Sequence, residues 1–434
     1  MLATSHVARE NAMPLSSLER RVLEHLDLPH MLRFLSELVS IPSVGGAETP
    51  AQERVARWMK EEGLEVDVWP LDLPTLKAHP AYSAEVEREE GLGVVGVLGE
   101  DRGGRSLILN GHVDVVPPGD LNDWDLSPWS GRIRDGRLHG RGALDMKGGL
   151  ACGLYAARAI RDAGVRLKGP LILESVVGEE DGGVGTLAAI LRGYRARGAV
   201  IMEPTGLSIC PAQAGCLNFR LSVRGRAAHG AIRDMGVSAL EKFRPVFDAL
   251  LALETKRNHT CEDPLFQGYR TPFSLSVGTI RGGEWASTVP DRVTVEGRYG
   301  TRPEEDPAAA RKELEAAVEE ASRNDPWLRE HPPELEWWGG TFLPARVPHD
   351  HPVVRSLQGA FRDAVGREAA LQGVTYGSDM RLLVREAETP TVLFGPGHVR
   401  DAHGVNESVT VVELESTLRS LTLMALRFCG TEDD

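Results

Sequence analysis

Apolar and polar positions follow two different rhythms along this chain. Between about residues 90 and 205 the apolar residues come in short unbroken runs, at Val94–Leu98, Leu107–Leu109, Leu171–Val177 and Gly198–Met202. Runs this short, closed by turn residues, predict strands buried on both faces. Helical spacing separates them at Met146–Ala163 and Thr186–Arg195. The first of these opens with Lys147-Gly148-Gly149 and continues in apolar and small residues, which predicts a buried helix. Strand, helix, strand, helix, strand predicts an α/β unit around a mostly parallel sheet. Upstream, helical periodicity covers Leu18–Leu28 and His30–Val39, with Pro29 interrupting. A further amphipathic helix is predicted over Thr49–Glu62, with Thr49 as its cap, Pro50 in its first turn and Gly63 at its end. Leu64–Trp69 alternates as a strand, and the polar stretch Pro74–Glu90 reads as a surface insertion.

Near residue 214 the rhythm changes to alternation. Asn218–Val223, Phe273–Ile280 and Val293–Tyr299 predict half-buried strands, with helices at Val237–Glu254 and Glu304–Arg323 and a last strand at Glu334–Trp338. The order β-α-β-β-α-β is that of a ferredoxin-like domain. The first pattern returns after about residue 345, with a helix at Val353–Val365, a strand at Thr391–Phe394 and a helix at Val412–Phe428. The chain therefore reads as an α/β catalytic domain, residues 1–213 and 341–434, with a small domain inserted over 214–340; residues 1–16 read as a loose tail.

Composition narrows the function. The 434 residues carry a net charge of −14, with ordinary apolar and charged content. So acidic a balance argues against a nucleic-acid or membrane-surface partner, since phosphate binding wants a basic face. The five cysteines include no Cys-x-x-Cys pair, which fits free thiols in a reducing compartment. Met1–Ser17 has no apolar core of a secretory signal, and no apolar run approaches the roughly 20 residues of a membrane span. A cytoplasmic enzyme is expected.

Chemistry gathers where strands end, as it does in open α/β sheets. His112 and Asp114 follow Ser106–Asn110, two residues apart and so on one side of an extended chain. Glu179 and Glu180 follow Leu171–Val177, and Glu203 follows Gly198–Met202. Asp145 ends the glycine-rich turn Gly140-Arg141-Gly142-Ala143-Leu144 before the buried helix, and His403 lies in Asp401-Ala402-His403-Gly404. Two imidazoles and three carboxylates suit a pair of divalent cations sharing one carboxylate, and the tandem Glu179-Glu180 offers one acid to metal and one as base. His139, His259, His331, His349, His351 and His398 fit no ligand position.

Four motifs occur in order: Gly-His-Val-Asp-Val-Val-Pro at 111–117, Gly-Arg-Gly-Ala-Leu-Asp-Met-Lys-Gly-Gly at 140–149, Gly-Glu-Glu-Asp-Gly-Gly at 178–183 and Met-Glu-Pro-Thr at 202–205. From about residue 30 onward the chain resembles the zinc-dependent amidohydrolase and exopeptidase family of acetylornithine deacetylase, succinyl-diaminopimelate desuccinylase, aminoacylase and glutamate carboxypeptidase. The resemblance implies two Zn2+ per subunit, with Co2+ or Mn2+ as substitutes. His112, Asp145 and Glu203 would bind one; Asp145, Glu180 and His403 would bind the other. Asp114 would orient His112, Glu179 would be the general base, and a cis peptide is expected at Asp145-Met146. The inserted domain would be a lid and dimerisation domain. Within Gly225-Arg226-Ala227-Ala228-His229-Gly230, His229 would reach the partner subunit's active site and stabilise the oxyanion; the family more often has serine where Gly230 stands. Arg298 would hold a substrate carboxylate, Ser287 stands where several relatives carry asparagine, and Gly377, Ser378 and Gly395 would line the cleft.

The implied function is a homodimeric di-zinc hydrolase of a small N-acyl amino acid or related N-acyl amine, most like acetylornithine deacetylase. A dipeptidase or carboxypeptidase, a succinyl-diaminopimelate desuccinylase, and a deformylase of a formyl-aminopyrimidine are the alternatives. A metal-binding protein without catalysis is the rival from another class.

Overall fold

The uninterrupted apolar runs pair with one another at the centre of a nine-stranded sheet. In the computed structural model, which describes residues 14–432, strand Leu107–His112 lies between Leu171–Val176 and Gly198–Ile201 and runs parallel to both. Strand Thr391–Leu393 extends the parallel centre beside Gly198–Ile201. Antiparallel strands flank it: Leu92–Leu98 pairs with Leu171–Val176, and Glu65–Pro70 forms the edge beyond. Leu107, Ile108 and Leu109 are fully buried, as a central strand covered on both faces requires.

The chain divides into two compact units. The first takes the chain up to Pro211, then Arg346–Gln372 and everything from Ser378 onward; the second takes Ala212–Ala345 and Gly373–Gly377. In the first unit, helix Lys147–Asp162 is buried along nearly its whole length. Its glycines let it lie against the sheet: a Cβ at Gly149 would sit 2.1 Å from the Met202 carbonyl oxygen. Helices Pro352–Val365 and Val411–Cys429 pack against each other, and the latter also packs on Lys147–Asp162.

The second unit is a βαββαβ fold. Its four-stranded antiparallel sheet has the order Leu275–Gly282, Arg292–Thr301, Gly215–Arg224, Glu334–Phe342, so the first strand in sequence is central and the second is at the edge. Alternation sends Leu217, Phe219, Leu221 and Val223 inward. They meet Phe243, Val246 and Leu250 of helix Ala239–His259 and Leu314 and Val318 of helix Pro307–Arg323 in one core.

Several local expectations need correction. Pro29 starts the helix Leu28–Ser40 in its first turn, with Asp27 as the cap, because proline gives up no helical hydrogen bond there. Thr49 is the first helical residue of Thr49–Glu61 rather than its cap; Glu48 stands at the cap position but turns its carboxylate to Gly46 N–H and to Arg88. The stretch 74–90 is not simply a surface insertion, since Leu76 and Arg88 are buried. Of the tail expected over residues 1–16, residues 1–13 lie outside the described residues, and Ser16 caps the helix Ser17–Glu24. Among the described residues, no helix is long and apolar enough to cross a membrane.

Candidate active site

The first unit draws the predicted acids and imidazoles together from separate stretches of the chain. His112 is the last residue of its strand and is fully buried; Glu179 lies just past the end of Leu171–Val176, and Glu203 just past Gly198–Ile201. Asp145 closes the turn before helix Lys147–Asp162, and its peptide bond to Met146 is cis. Asp145 stands at the centre. One of its oxygens lies 3.3 Å from His112 Nε2, and the other 3.4 Å from His403 Nε2. Glu203 Oε1 is 4.0 Å from His112 Nε2, and Glu180 Oε2 is 3.0 Å from His403 Nε2.

Two donor sets result, His112–Asp145–Glu203 and Asp145–Glu180–His403, each with one donor atom per residue and all atoms within 4.8 Å of one another. The donors suit divalent cations. His112 Nε2 is buried and has no hydrogen-bond partner, while its Nδ1 is 2.9 Å from the Asp114 backbone carbonyl. That contact keeps the proton on Nδ1 and leaves Nε2 as a lone-pair donor. Asp114 therefore meets His112 through its main chain; its carboxylate, 3.7 Å from Nδ1, accepts the Glu180 backbone N–H at 3.0 Å instead. A two-residue spacing places both groups on one side, but it cannot say which Asp114 oxygen the ring meets.

Without cations the cluster is electrostatically strained. Burial pushes the Glu179 carboxyl well up, and the charges of Glu203 and Asp379 push it further. Burial and then Asp145 do the same to Glu203, and burial and Asp145 raise Glu180 against the pull of His403. Burial opposes charge on the His112 ring, but Asp114, Asp145 and other acids outweigh it and raise the imidazole. Asp145, despite burial, is held low by its two imidazoles. Contact with Asp145 and Glu180 pushes His403 up to about 10. So many acids around two imidazoles is a donor set that divalent cations relieve better than protons do.

Sequence reasoning missed the struts behind these groups. Arg141 and Glu407, 2% exposed each, form a buried pair at 2.5 Å. Glu407 Oε1 accepts the backbone N–H groups of Leu144 and Asp145, while Arg141 Nη2 donates to the His403 carbonyl at 3.2 Å. The signal was present in Gly140-Arg141-Gly142, where an arginine sits between the two glycines of the turn that leads to Asp145. Lys147, fully buried, donates to the carbonyls of Leu38 and Ile41 and so anchors the start of its helix.

The residues expected to touch substrate divide between the units. His229, Ser287, Arg298 and Gly377 belong to the second; Ser378 and Gly395 belong to the first. His229 is exposed, and its Nδ1 accepts the Ala231 N–H at 3.1 Å, which leaves the ring proton on Nε2. The Gly230 N–H donates to the Ser287 carbonyl at 2.6 Å. Arg298 donates to the Thr375 carbonyl at 3.3 Å, close in sequence to Gly377. Ser378 is fully buried and accepts the Met380 N–H, so its hydroxyl serves the local turn. Gly395 lies where a Cβ would sit 2.6 Å from the Glu203 carbonyl oxygen, a close approach beside that acid.

Residues 108–427 match peptidase family M20/M25/M40. The chain belongs to that family. As a member of the M20/M25/M40 peptidases it is a hydrolase of the amide-cleaving class. It is 30% identical over 442 residues to the N-formyl-4-amino-5-aminomethyl-2-methylpyrimidine deformylase of Bacillus subtilis, spanning 96% of this chain and 98% of that protein. It is 31% identical over 350 residues to the acetylornithine deacetylase of Myxococcus xanthus, spanning 79% of this chain and 85% of the other. Among solved structures its fold matches human carnosine dipeptidase 1 with a TM-score of 0.73 at 18% identity, covering 96% of this chain and all of that one (100%).

Proposed function

We propose that this chain is a di-zinc amidohydrolase that removes a small acyl group, formyl before acetyl, from an N-acyl amine. The observation that carries the chemistry is Asp145 shared between two donor sets, with His112 on one side and His403 on the other. Formyl is placed first because the likeness to the deformylase spans both chains nearly end to end, whereas the likeness to the deacetylase leaves about a fifth of this chain unmatched.

In this reading His112, Asp145 and Glu203 hold one cation, and Asp145, Glu180 and His403 hold the other. Bound there, the pair supplies Lewis-acid polarisation of the amide carbonyl and lowers the pKa of water. Glu179, buried beside the donor sets, accepts a proton from the attacking water and delivers it to the leaving amine. His403, with its side chain 55% exposed, marks the open side of the cluster, and fully buried His112 the closed side. His229, with its Nε2 proton, is the donor to the developing oxyanion, supplied by the lid of a second copy of this chain. A homodimer is supported by the second unit's own surface. Strand Leu275–Gly282 pairs on only one side among the described residues, and beside it an apolar cleft of about 510 Å³ includes exposed Leu240 and Ile280.

The test is a panel of formyl, acetyl, succinyl and peptidyl amides on zinc-loaded protein, with Glu179→Gln alongside. Formyl turnover leading, and a loss of at least a hundredfold in Glu179→Gln with both metals retained, is expected. Two metals bound with no turnover of any amide would sink the enzyme reading, and a strictly monomeric, fully active chain in light scattering would sink the dimer.

A further inference from the structure

The stretch 74–90, which the proposed mechanism leaves unused, grips the loop that carries Glu179 and Glu180. Arg88, 6% exposed, forms a fork on the Asp181 carboxylate, with Nη1 at 2.7 Å from one oxygen and Nη2 at 2.9 Å from the other. The same Nη2 lies 2.8 Å from Glu48, whose carboxylate also accepts the Gly46 N–H. The main chain adds to the hold: Glu85 N–H donates to the Asp181 carbonyl at 2.9 Å, and Val86 N–H to its carboxylate at 2.8 Å. Arg381 Nη2 bridges the Gly182 carbonyl and the Ser83 hydroxyl.

Loop and insertion approach closely at two glycines. A Cβ at Gly178 would meet Arg88 Nη2 at 2.7 Å, and one at Gly182 would meet the Ser83 carbonyl oxygen at 2.6 Å. On the other side of the loop, Asp114 holds the Glu180 N–H at 3.0 Å. Glu179 and Glu180 thus sit between two anchors, Asp114 before and Arg88 after.

We infer that Arg88 is a positioning residue for the reaction: through Asp181 it fixes the backbone from which Glu180 reaches its metal and Glu179 reaches the water. The inference rests on the proposed roles of those two acids. A planar fork matches a carboxylate in a way an ammonium cannot, so Arg88→Lys keeps the charge and loses the geometry.

The experiment is calorimetric titration of chelator-stripped protein with Zn2+, joined to kcat, KM and amide exchange of the peptide spanning 178–185. Glu180→Gln and Glu203→Gln mark which of two binding steps belongs to which donor set. In Arg88→Lys the step marked by Glu180→Gln weakens by about ten- to a hundredfold, as outer-shell changes at metal sites do. The step marked by Glu203→Gln stays within about threefold, kcat falls with KM nearly unchanged, and exchange over 178–185 quickens. Arg88→Gln gives the same pattern more strongly; if it does not fold, Ser83→Ala carries a milder form through Arg381. Both steps and kcat at wild-type values in folded Arg88→Lys, or loss confined to the Glu203-marked step, overturns the inference. Retention of both steps in Glu180→Gln overturns the active-site reading itself, whatever Arg88→Lys does.

Discussion

Glu407 accepts the Asp145 backbone N–H at 3.2 Å and takes Arg141 on its other oxygen at 2.5 Å, so one buried acid ties together the turn of Asp145 and the loop of His403. His403 needs the tie. It is exposed, and it sits in the left-handed backbone region at φ 60°, which few residues other than glycine adopt unaided. Glu407→Ala strands the Arg141 guanidinium in the interior, a change that costs about 3–5 kcal/mol in comparable buried pairs. Urea unfolding is expected to show a loss of that order. Glu407→Gln can still accept the two N–H groups through one atom but turns an uncharged NH2 toward Arg141, so it is expected to recover only part of that loss and to bind metal about tenfold or more weakly.

A second expectation concerns pH. Glu174 is fully buried, and burial, with a contribution from Asp379, pushes its carboxyl from 4.5 up to about 7 against a hydrogen bond from Asn110. The folded chain therefore holds this proton in a range where the unfolded chain has lost it. Below about pH 4.5 both forms hold it and the contribution is whole; as pH rises through about 7 it is lost. Glu174→Gln keeps an acceptor for Asn110 and removes the titration. The fall in unfolding free energy between pH 4.5 and 7.5 is expected to be smaller in the variant, by on the order of 3 kcal/mol at most. The difference between the two proteins is the measurement, since every other titrating group is shared. Parallel curves would refute it.

The thiols give a third. Cys152, Cys210 and Cys429 are buried and unpaired, and burial raises all three, Cys429 to about 12. Cys216 and Cys261 are partly exposed. A thiol reagent at neutral pH is expected to label two groups in the folded chain and all five in denaturant without prior reduction. Fewer than five in denaturant would reveal a disulfide the fold does not contain.

The sheet was legible because its central strands are short runs, apolar on both faces and closed by turn residues. Four of the donor residues, His112, Asp145, Glu180 and Glu203, were legible because each lies at a strand end or in a glycine-rich turn; His403 lies in a loop well past its strand. What the pattern could not carry was the partner of each group. Which oxygen of Asp114 meets His112, where the Arg141 guanidinium goes, and that Arg88 turns inward from a polar stretch all depend on contacts between residues far apart in sequence. The short strands Ile209–Gln213 and Ser408–Thr410 also escaped, being brief and rich in polar or small residues. Local rhythm predicts elements; long-range pairing decides which polar side chains are buried.

Gly230 and Ser287, both in the second unit, touch each other. The Gly230 N–H donates to the Ser287 carbonyl at 2.6 Å, and His229 pairs with Thr288 in an isolated antiparallel bridge. A Cβ on residue 230 would lie 2.9 Å from the Ser287 carbonyl oxygen and 3.1 Å from its carbon, so a serine there requires the backbone to move. The segment is exposed, and the shift is expected to cost under about 1 kcal/mol of global stability. Its consequence falls on His229, one residue away. Under the proposed mechanism, deleting the His229 imidazole removes an oxyanion donor, worth about a hundredfold or more in kcat. Gly230→Ser, which only displaces it, is expected to lower kcat by roughly tenfold while leaving metal content and the melting temperature close to wild type. Gly230→Ala carries the same Cβ without the hydroxyl and is expected to match it. Wild-type turnover in both would mean that the close contact with Ser287 does not set where His229 stands.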